Sequence, residues 1–248
     1  MLQLPAFYST LKPFRGLFES GRPFLMYHKL APKPGKARIK GLYVNPRLFD
    51  KQLAELAEAG YTTPAYGIHD SKDNAARTIC LTFDDGFQSA FTNGLPILTR
   101  HKFRGIQFLV ADRIGQFNEW EVQLGDIRES LMNESQIREW LAAGNEIGAH
   151  SLTHPYLTRV SYREAREEVI SSKKKLEDMF GVPVVHFCFP YGDCNEAIRD
   201  LVCEAGFQTS CTTEFGVNSP ETSPFSLRRI MARHRTISIK SIKASLKA

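Results

Sequence analysis

The stretch Ile79-Cys80-Leu81-Thr82-Phe83-Asp84-Asp85-Gly86 decides the fold. A run of strand length, rich in apolar and β-branched residues, passes straight into two carboxylates and a turn glycine. The run of strand length recurs at Phe24–Tyr27, Ile106–Val110, Glu146–Ala149, Val184–Phe189, Gln208–Thr212 and Leu227–Ala232. Helical periodicities lie between these runs. Asn45-Pro46 supplies a cap and a first-turn proline ahead of Phe49, Leu53 and Leu56, and Gly60 follows them. Asn133 precedes Ile137, Trp140 and Leu141, with Gly144 as the stop. Ser161 and Glu164 form a capping box before Ala165, Val169, Leu176 and Met179. Strands separated by helices pair in parallel through crossovers, so the expected fold is α/β: a sheet or barrel of about seven parallel strands with helices outside.

The chain has 248 residues, 42% hydrophobic and 24% charged, which favours one folded unit with a sizeable core and excludes a disordered or collagenous chain. We expect a single domain over 1–248 with basic terminal extensions at 1–23 and 233–248. The net charge of +5 is unevenly spread. Residues 1–47 hold nine Lys/Arg against Glu19 alone, and residues 222–248 hold seven with no acid, so both ends are basic and the middle is acidic. Such ends suit an anionic partner such as phosphate or acidic lipid. No helix-turn-helix, zinc-finger or RNP-like signal accompanies the charges, so no nucleic-acid partner is expected. Five cysteines without a C-x-x-C pair, and no secretory apolar run in residues 1–25, suggest a reducing, cytoplasmic location. No run of eighteen apolar residues suggests a transmembrane helix. Segment 112–131 has weak periodicity, holds Trp120, and is expected to be a functional loop or an embellishment over the site.

Chemistry gathers where strands end. Asp84 and Asp85 close one strand; His150-Ser151-Leu152-Thr153-His154 closes another. Were residues 150–154 a helical turn, the i, i+4 spacing would place both imidazoles on one face, as a metal-binding pair requires. One aspartate then completes a site of two histidines and one carboxylate with open positions for water. Asp-Asp-Gly by itself is common turn chemistry and two such histidines by themselves are commonly structural, so the weight rests on their combination.

T-F-D-D-G, H-S-x-x-H and the later Phe189-Pro190-Tyr191-Gly192 resemble the first three motifs of the NodB-like polysaccharide deacetylases, carbohydrate esterase family 4. Phe24-Leu25-Met26-Tyr27-His28 and the Phe49, Gln52, Leu53, Leu56, Gly60, Tyr61 pattern are similar to the opening of many bacterial members, so the resemblance covers roughly residues 24–232. It implies a distorted (β/α) barrel, a bound divalent metal, usually Zn2+, and removal of acetyl groups from amino sugars. By resemblance, Asp85, His150 and His154 bind the metal, Asp84 is the general base, and the backbone N–H of Tyr191 holds the oxyanion.

The sequence departs from that family in two places. Its third motif begins with an arginine two residues before the proline, where this chain has Cys188. Arg229, on the last expected strand, is the guanidinium placed to orient Asp84 instead, since barrel strands converge on one rim. The D-x-x-D-W and L-x-H-D motifs are absent as such, which leaves the general acid open between His28 and His234. Cys80, Cys188, Cys203 and Cys211 are expected as buried small hydrophobes, and Ile239, Ile242 and Leu246 as one face of a final helix packed on the barrel.

The expected activity is metal-dependent hydrolysis of an N-acetyl group on an amino sugar, nucleotide-linked, lipid-linked or oligosaccharide, with peripheral contact to an anionic membrane. The alternatives are a non-catalytic carbohydrate-binding relative, a deformylase or cyclic-amide hydrolase using the same metal site, and a non-haem iron oxygenase. The last is disfavoured because those enzymes usually sit on all-β sandwiches.

Overall fold

The seven expected strands form and close on one another. A computed structural model describes residues 5, 7–64 and 77–233. In chain order the strands are β1 (Arg22–Tyr27), β2 (Cys80–Phe83), β3 (Gly105–Leu109), β4 (Glu146–Ala149), β5 (His186–Cys188), β6 (Thr209–Phe215), β7 (Val217–Asn218) and β8 (Leu227–Met231). The ring runs β1-β2-β3-β4-β5-β6-β8 and returns to β1, all pairs parallel, giving a closed barrel of seven strands. β7 was not foreseen. It is two residues long and pairs antiparallel with β1 on the outside of the ring. The link from β6 to β8 contains no helix, which is where the barrel departs from strict β/α alternation.

The helices are α1 (Arg15–Glu19), α2 (Pro46–Glu58), α3 (Leu95–His101), α4 (Glu119–Val122), α5 (Glu134–Ala142), α6 (Tyr162–Phe180) and α7 (Glu196–Glu204). The caps of α2, α5 and α6 act as their sequences direct: Asn45 accepts from Arg47 N, and Asn133 and Ser161 each close a capping box. Apolar faces of these helices meet the outward residues of the strands. Phe49, Leu53 and Leu56 of α2 share one buried cluster with Leu25, Tyr27, Leu81 and Phe83. No helix among the described residues is long and apolar enough to cross a membrane.

Strand residues of the other parity face inward. Phe24, Cys80, Ile106, Phe108, Cys188, Cys211 and Leu227 form a second buried cluster that fills the barrel interior. Phe108 uses the space above Gly148, where an added Cβ would stand 2.5 Å from its ring. This parity carries the site. Continuing inward positions past Cys80 gives Thr82 and Asp84; past Leu227 it gives Arg229. The strands are parallel, so these polar residues rise together toward one end.

Cys80, Cys188 and Cys211 are buried as expected, but Cys203 is exposed. It lies on the solvent side of α7, whose buried face is Ile198, Leu201 and Val202. His234 and the expected final helix with Ile239, Ile242 and Leu246 lie outside the described residues, as does most of the 233–248 extension.

Candidate metal centre

Asp84 leaves the end of β2 and meets Arg229, which reaches across from β8. Arg229 Nη1 donates to Asp84 Oδ1 at 2.7 Å and Nη2 donates to Oδ2 at 2.8 Å, a two-pronged pair with both side chains buried. The guanidinium is itself fixed, donating through Nε to Thr212 O at 2.8 Å and through Nη1 to Thr82 Oγ1 at 3.1 Å. Burial pushes the Asp84 carboxyl up, but the Arg229 charge and hydrogen bonds, together with the charges of His28 and His150, outweigh it and hold Asp84 below the usual carboxylate range. Arg229 Nη2 also stands 3.1 Å from Cys188 Sγ. The guanidinium therefore fills the space that a longer side chain at position 188 would need. Burial pushes the Cys188 thiol up to about 11, so it adds no charge beside Asp84.

Asp85 turns the other way. Its Oδ1 is 3.2 Å from His150 Nε2 and 3.3 Å from His154 Nε2. His150 presents Nε2 because its Nδ1 lies 2.7 Å from Cys188 O, which fixes that ring. Residues 150–154 are not a helical turn. Ser151 and His154 both have left-handed φ, 63° and 73°, so an irregular loop turns the second imidazole back toward the first. Glu168 supports this loop by accepting from Leu152 N at 2.8 Å and Thr153 N at 2.9 Å.

Backbone strain gathers at this rim. Among the described residues, the non-glycine positions with positive φ are Asp85, Ser151, His154, Tyr191 and Lys102, and all but Lys102, which ends α3, surround the site. Left-handed φ costs of order 1 to 3 kcal/mol per residue and persists where surrounding structure enforces it. At Asp85, with φ 72°, it sends the two adjacent carboxylates in different directions, and Gly86 at φ 81° completes the turn.

Asp85, His150 and His154 are buried and bring one ligand atom each within 4.8 Å of one another. Two imidazole nitrogens and one carboxylate are the donor set of an open divalent site. Burial alone would raise Asp85, but the hydrogen bonds from His150 and His154 hold it well below the usual range, so an anionic oxygen faces the two rings. The residues fit a divalent cation. A second grouping, Asp84, His150 and Cys188, is also close enough. The Arg229 guanidinium stands against both Asp84 and Cys188, however, and its positive charge disfavours a cation there, although each Asp84 oxygen keeps a lone pair.

His28 stands at the end of β1 with Nε2 3.8 Å from Asp84 Oδ2, and burial lowers its pKa. His234 lies outside the described residues. Tyr191, at φ 60°, is partly exposed and its ring packs edge-on to His154 at 4.5 Å. Tyr156 stacks on Tyr191 at 3.9 Å. The segment 112–131 folds over the same end, through α4 and antiparallel bridges Phe87–Leu131 and Phe117–Ser130. Sequence reasoning passed over Lys29, Tyr156 and Glu121. Lys29 follows the singled-out His28, and its position in an otherwise apolar strand end was the signal available.

A family profile for polysaccharide deacetylases matches residues 71–210. YxkH of Bacillus subtilis is 24% identical over 213 residues, 84% of this chain and 70% of that protein. The peptidoglycan-N-acetylglucosamine deacetylase PgdA of Listeria monocytogenes is 25% identical over 189 residues, 74% of this chain, and the chain spans 34% of that protein. Among solved structures, the Streptococcus pyogenes deacetylase PplD in complex with acetate has the same fold, with TM-score 0.74 and 22% identity over 86% of this chain and 92% of that one.

Proposed function

Since the chain belongs to the polysaccharide deacetylase family, we propose that it is a metal-dependent hydrolase that removes the acetyl group from an N-acetylated amino sugar. The observation that carries this reading is the pairing, on adjacent residues, of an Asp85–His150–His154 donor set with a separate carboxylate, Asp84, held ionised by Arg229.

A divalent cation bound by Asp85, His150 and His154, Zn2+ for preference, supplies a Lewis acid for the acyl carbonyl and lowers the pKa of water. Asp84 accepts the proton of the attacking water as general base. Arg229 fixes the direction of its carboxylate and keeps it unprotonated near neutral pH. The water oxygen bonds to the acetyl carbon, the carbon–nitrogen bond breaks, and the products are acetate and the free amine. The backbone N–H of Tyr191 is assigned to the developing oxyanion. The amine nitrogen must gain a proton on leaving. His28, with Nε2 3.8 Å from Asp84 Oδ2, is the described residue assigned to receive the proton that Asp84 took from the water and to donate it to the amine.

The +8 and +7 charge of residues 1–47 and 222–248 favours substrates that carry phosphate, so nucleotide-linked and lipid-linked acetamido sugars are the proposed class, met in the cytoplasm or at the inner membrane surface. The test is acetate release from free, nucleotide-linked and lipid-linked acetamido sugars, with metal content measured on the same sample. Release that depends on the cation supports the proposal. Release of formate alone, or opening of cyclic amides alone, would transfer the site to a different acyl substrate.

A further inference from the structure

The two histidines of the centre are held differently. His150 has a second anchor, Cys188 O at 2.7 Å from its Nδ1. His154 does not: its Nδ1 is buried and finds no hydrogen-bond partner among the described residues. A metal-ligating imidazole ordinarily gives its other nitrogen to a carboxylate, carbonyl or water, which sets the orientation of the ring. Rings surround His154 instead. Trp120 lies parallel to it, with centroids 4.5 Å apart and planes 22° apart, while Tyr191 at 4.5 Å and His150 at 4.9 Å meet it edge-on.

We propose that Trp120 is a positioning residue that holds His154 by stacking where no hydrogen bond does, and that Lys29 holds Trp120 in place. The inference rests on reading Asp85, His150 and His154 as a cation site. Trp120 belongs to α4, whose segment would be free to lift from the barrel if nothing tied it down. Lys29 is that tie. Its ammonium is fully buried, 2.5 Å from Glu121 Oε2 and 2.6 Å from Glu129 Oε2, and it lies over the Phe87 ring at 4.6 Å. Tyr43 donates to Glu129 Oε2 at 2.8 Å. Asn118 completes the knot by donating to Glu121 Oε2 at 2.7 Å and accepting from Glu129 N at 2.6 Å. Asp126 ties the same segment to the chain after β1, accepting from Arg38 N and Ile39 N. One buried cation thus pairs with two carboxylates of the segment that carries the tryptophan, and burial of Glu121 without it would be strongly unfavourable.

The experiment is a cobalt(II) titration with chelator competition on the wild-type chain, Trp120→Phe, Trp120→Ala, Lys29→Met and the double variant Trp120→Ala/Lys29→Met, with acrylamide quenching of tryptophan emission on the metal-free proteins. Trp120→Ala should weaken cobalt binding about 10- to 100-fold, the range seen when an outer partner of a ligand is lost. Trp120→Phe, which keeps a stacking ring, should bind more tightly than Trp120→Ala. Lys29→Met should weaken binding and expose tryptophan to acrylamide, and the double variant should bind no more weakly than Trp120→Ala alone, because Lys29 acts through Trp120. If Lys29→Met does not fold, Lys29→Met/Glu121→Gln/Glu129→Gln takes its place, since no charge is then stranded. A Trp120→Ala protein that binds cobalt like wild type overturns the inference alone, as do effects of the two substitutions that simply add. A wild-type chain that takes no cobalt overturns the cation site itself, and this inference with it.

Discussion

At the N-terminal end of the barrel, His186 Nε2 lies 3.2 Å from Glu146 Oε2; at the C-terminal end, His150 Nε2 lies 3.2 Å from Asp85 Oδ1. The pairs share their chemistry and differ in surroundings. Glu146 is 38% exposed, and the other nitrogen of His186 meets the Thr209 hydroxyl at 2.8 Å, so the imidazole is satisfied and the carboxylate reaches solvent. Around Asp85, a second imidazole converges, the backbone is left-handed, and a further carboxylate sits next door with its own guanidinium. A histidine–carboxylate pair is thus ordinary barrel furniture. Convergence of a third donor onto a strained, buried rim is what distinguishes a site.

That contrast can be broken most sharply at Asp84. Asp84→Asn should cut acetate release by about 10² to 10⁴-fold, the usual contribution of a general base, while leaving cation binding intact. A non-catalytic sugar-binding protein would show no release to lose. Arg229→Gln comes next. Without the guanidinium, burial of Asp84 is opposed only by the neighbouring histidines, so its carboxyl rises and the acidic limb of the pH–rate profile should move to higher pH. The sign follows from the native shift: Asp84 is depressed in the folded protein, so its stabilising contribution is present above the unfolded carboxylate value of about 3.9 and is lost as pH falls below it. Removing one partner of a buried pair also costs about 3 to 5 kcal/mol, which thermal or denaturant unfolding would record.

Cys188→Arg sharpens the account of the departed motif. The Arg229 guanidinium already stands 3.1 Å from Cys188 Sγ, so a second arginine overfills the space and sets two cations together. A loss of stability of about 1 to 3 kcal/mol from overpacking is expected. Cys188→Arg combined with Arg229→Leu, which restores one guanidinium, should recover part of the activity. The smallest effect belongs to the other end of the barrel. His186→Asn should cost on the order of 1 kcal/mol through the lost hydrogen bond to Thr209 and leave acetate release unchanged. Activity that falls with His186 as steeply as with His150 would erase the distinction between the two ends.

Much of this was legible in the sequence because strands and caps are local. Seven strand runs, the Asn45, Asn133 and Ser161 caps, and the Asp84-Asp85 and His150/His154 strand ends depend on neighbours within a few residues. What escaped was set by distant partners. β7 exists because Val217 and Asn218 find an edge of β1, which no local pattern encodes. The helical turn considered for 150–154 gave way to left-handed Ser151 and His154, where the cluster itself overrides local preference. Cys203 looked like a core residue by its neighbours, yet the periodicity of α7 turns it outward. The role of Lys29 escaped because its partners, Glu121 and Glu129, lie some hundred residues away in a segment of weak periodicity, although its place beside His28 marked the position.

The central claim is that three side chains from two strand ends close around one divalent cation. Metal analysis after zinc loading and gel filtration, on the wild-type chain and on Asp85→Ala, tests it most directly. The account predicts one tightly held zinc per wild-type chain and loss of that zinc in Asp85→Ala, with His186→Asn retaining it. A wild-type chain that emerges without zinc, or an Asp85→Ala chain that retains it in full, would contradict the claim.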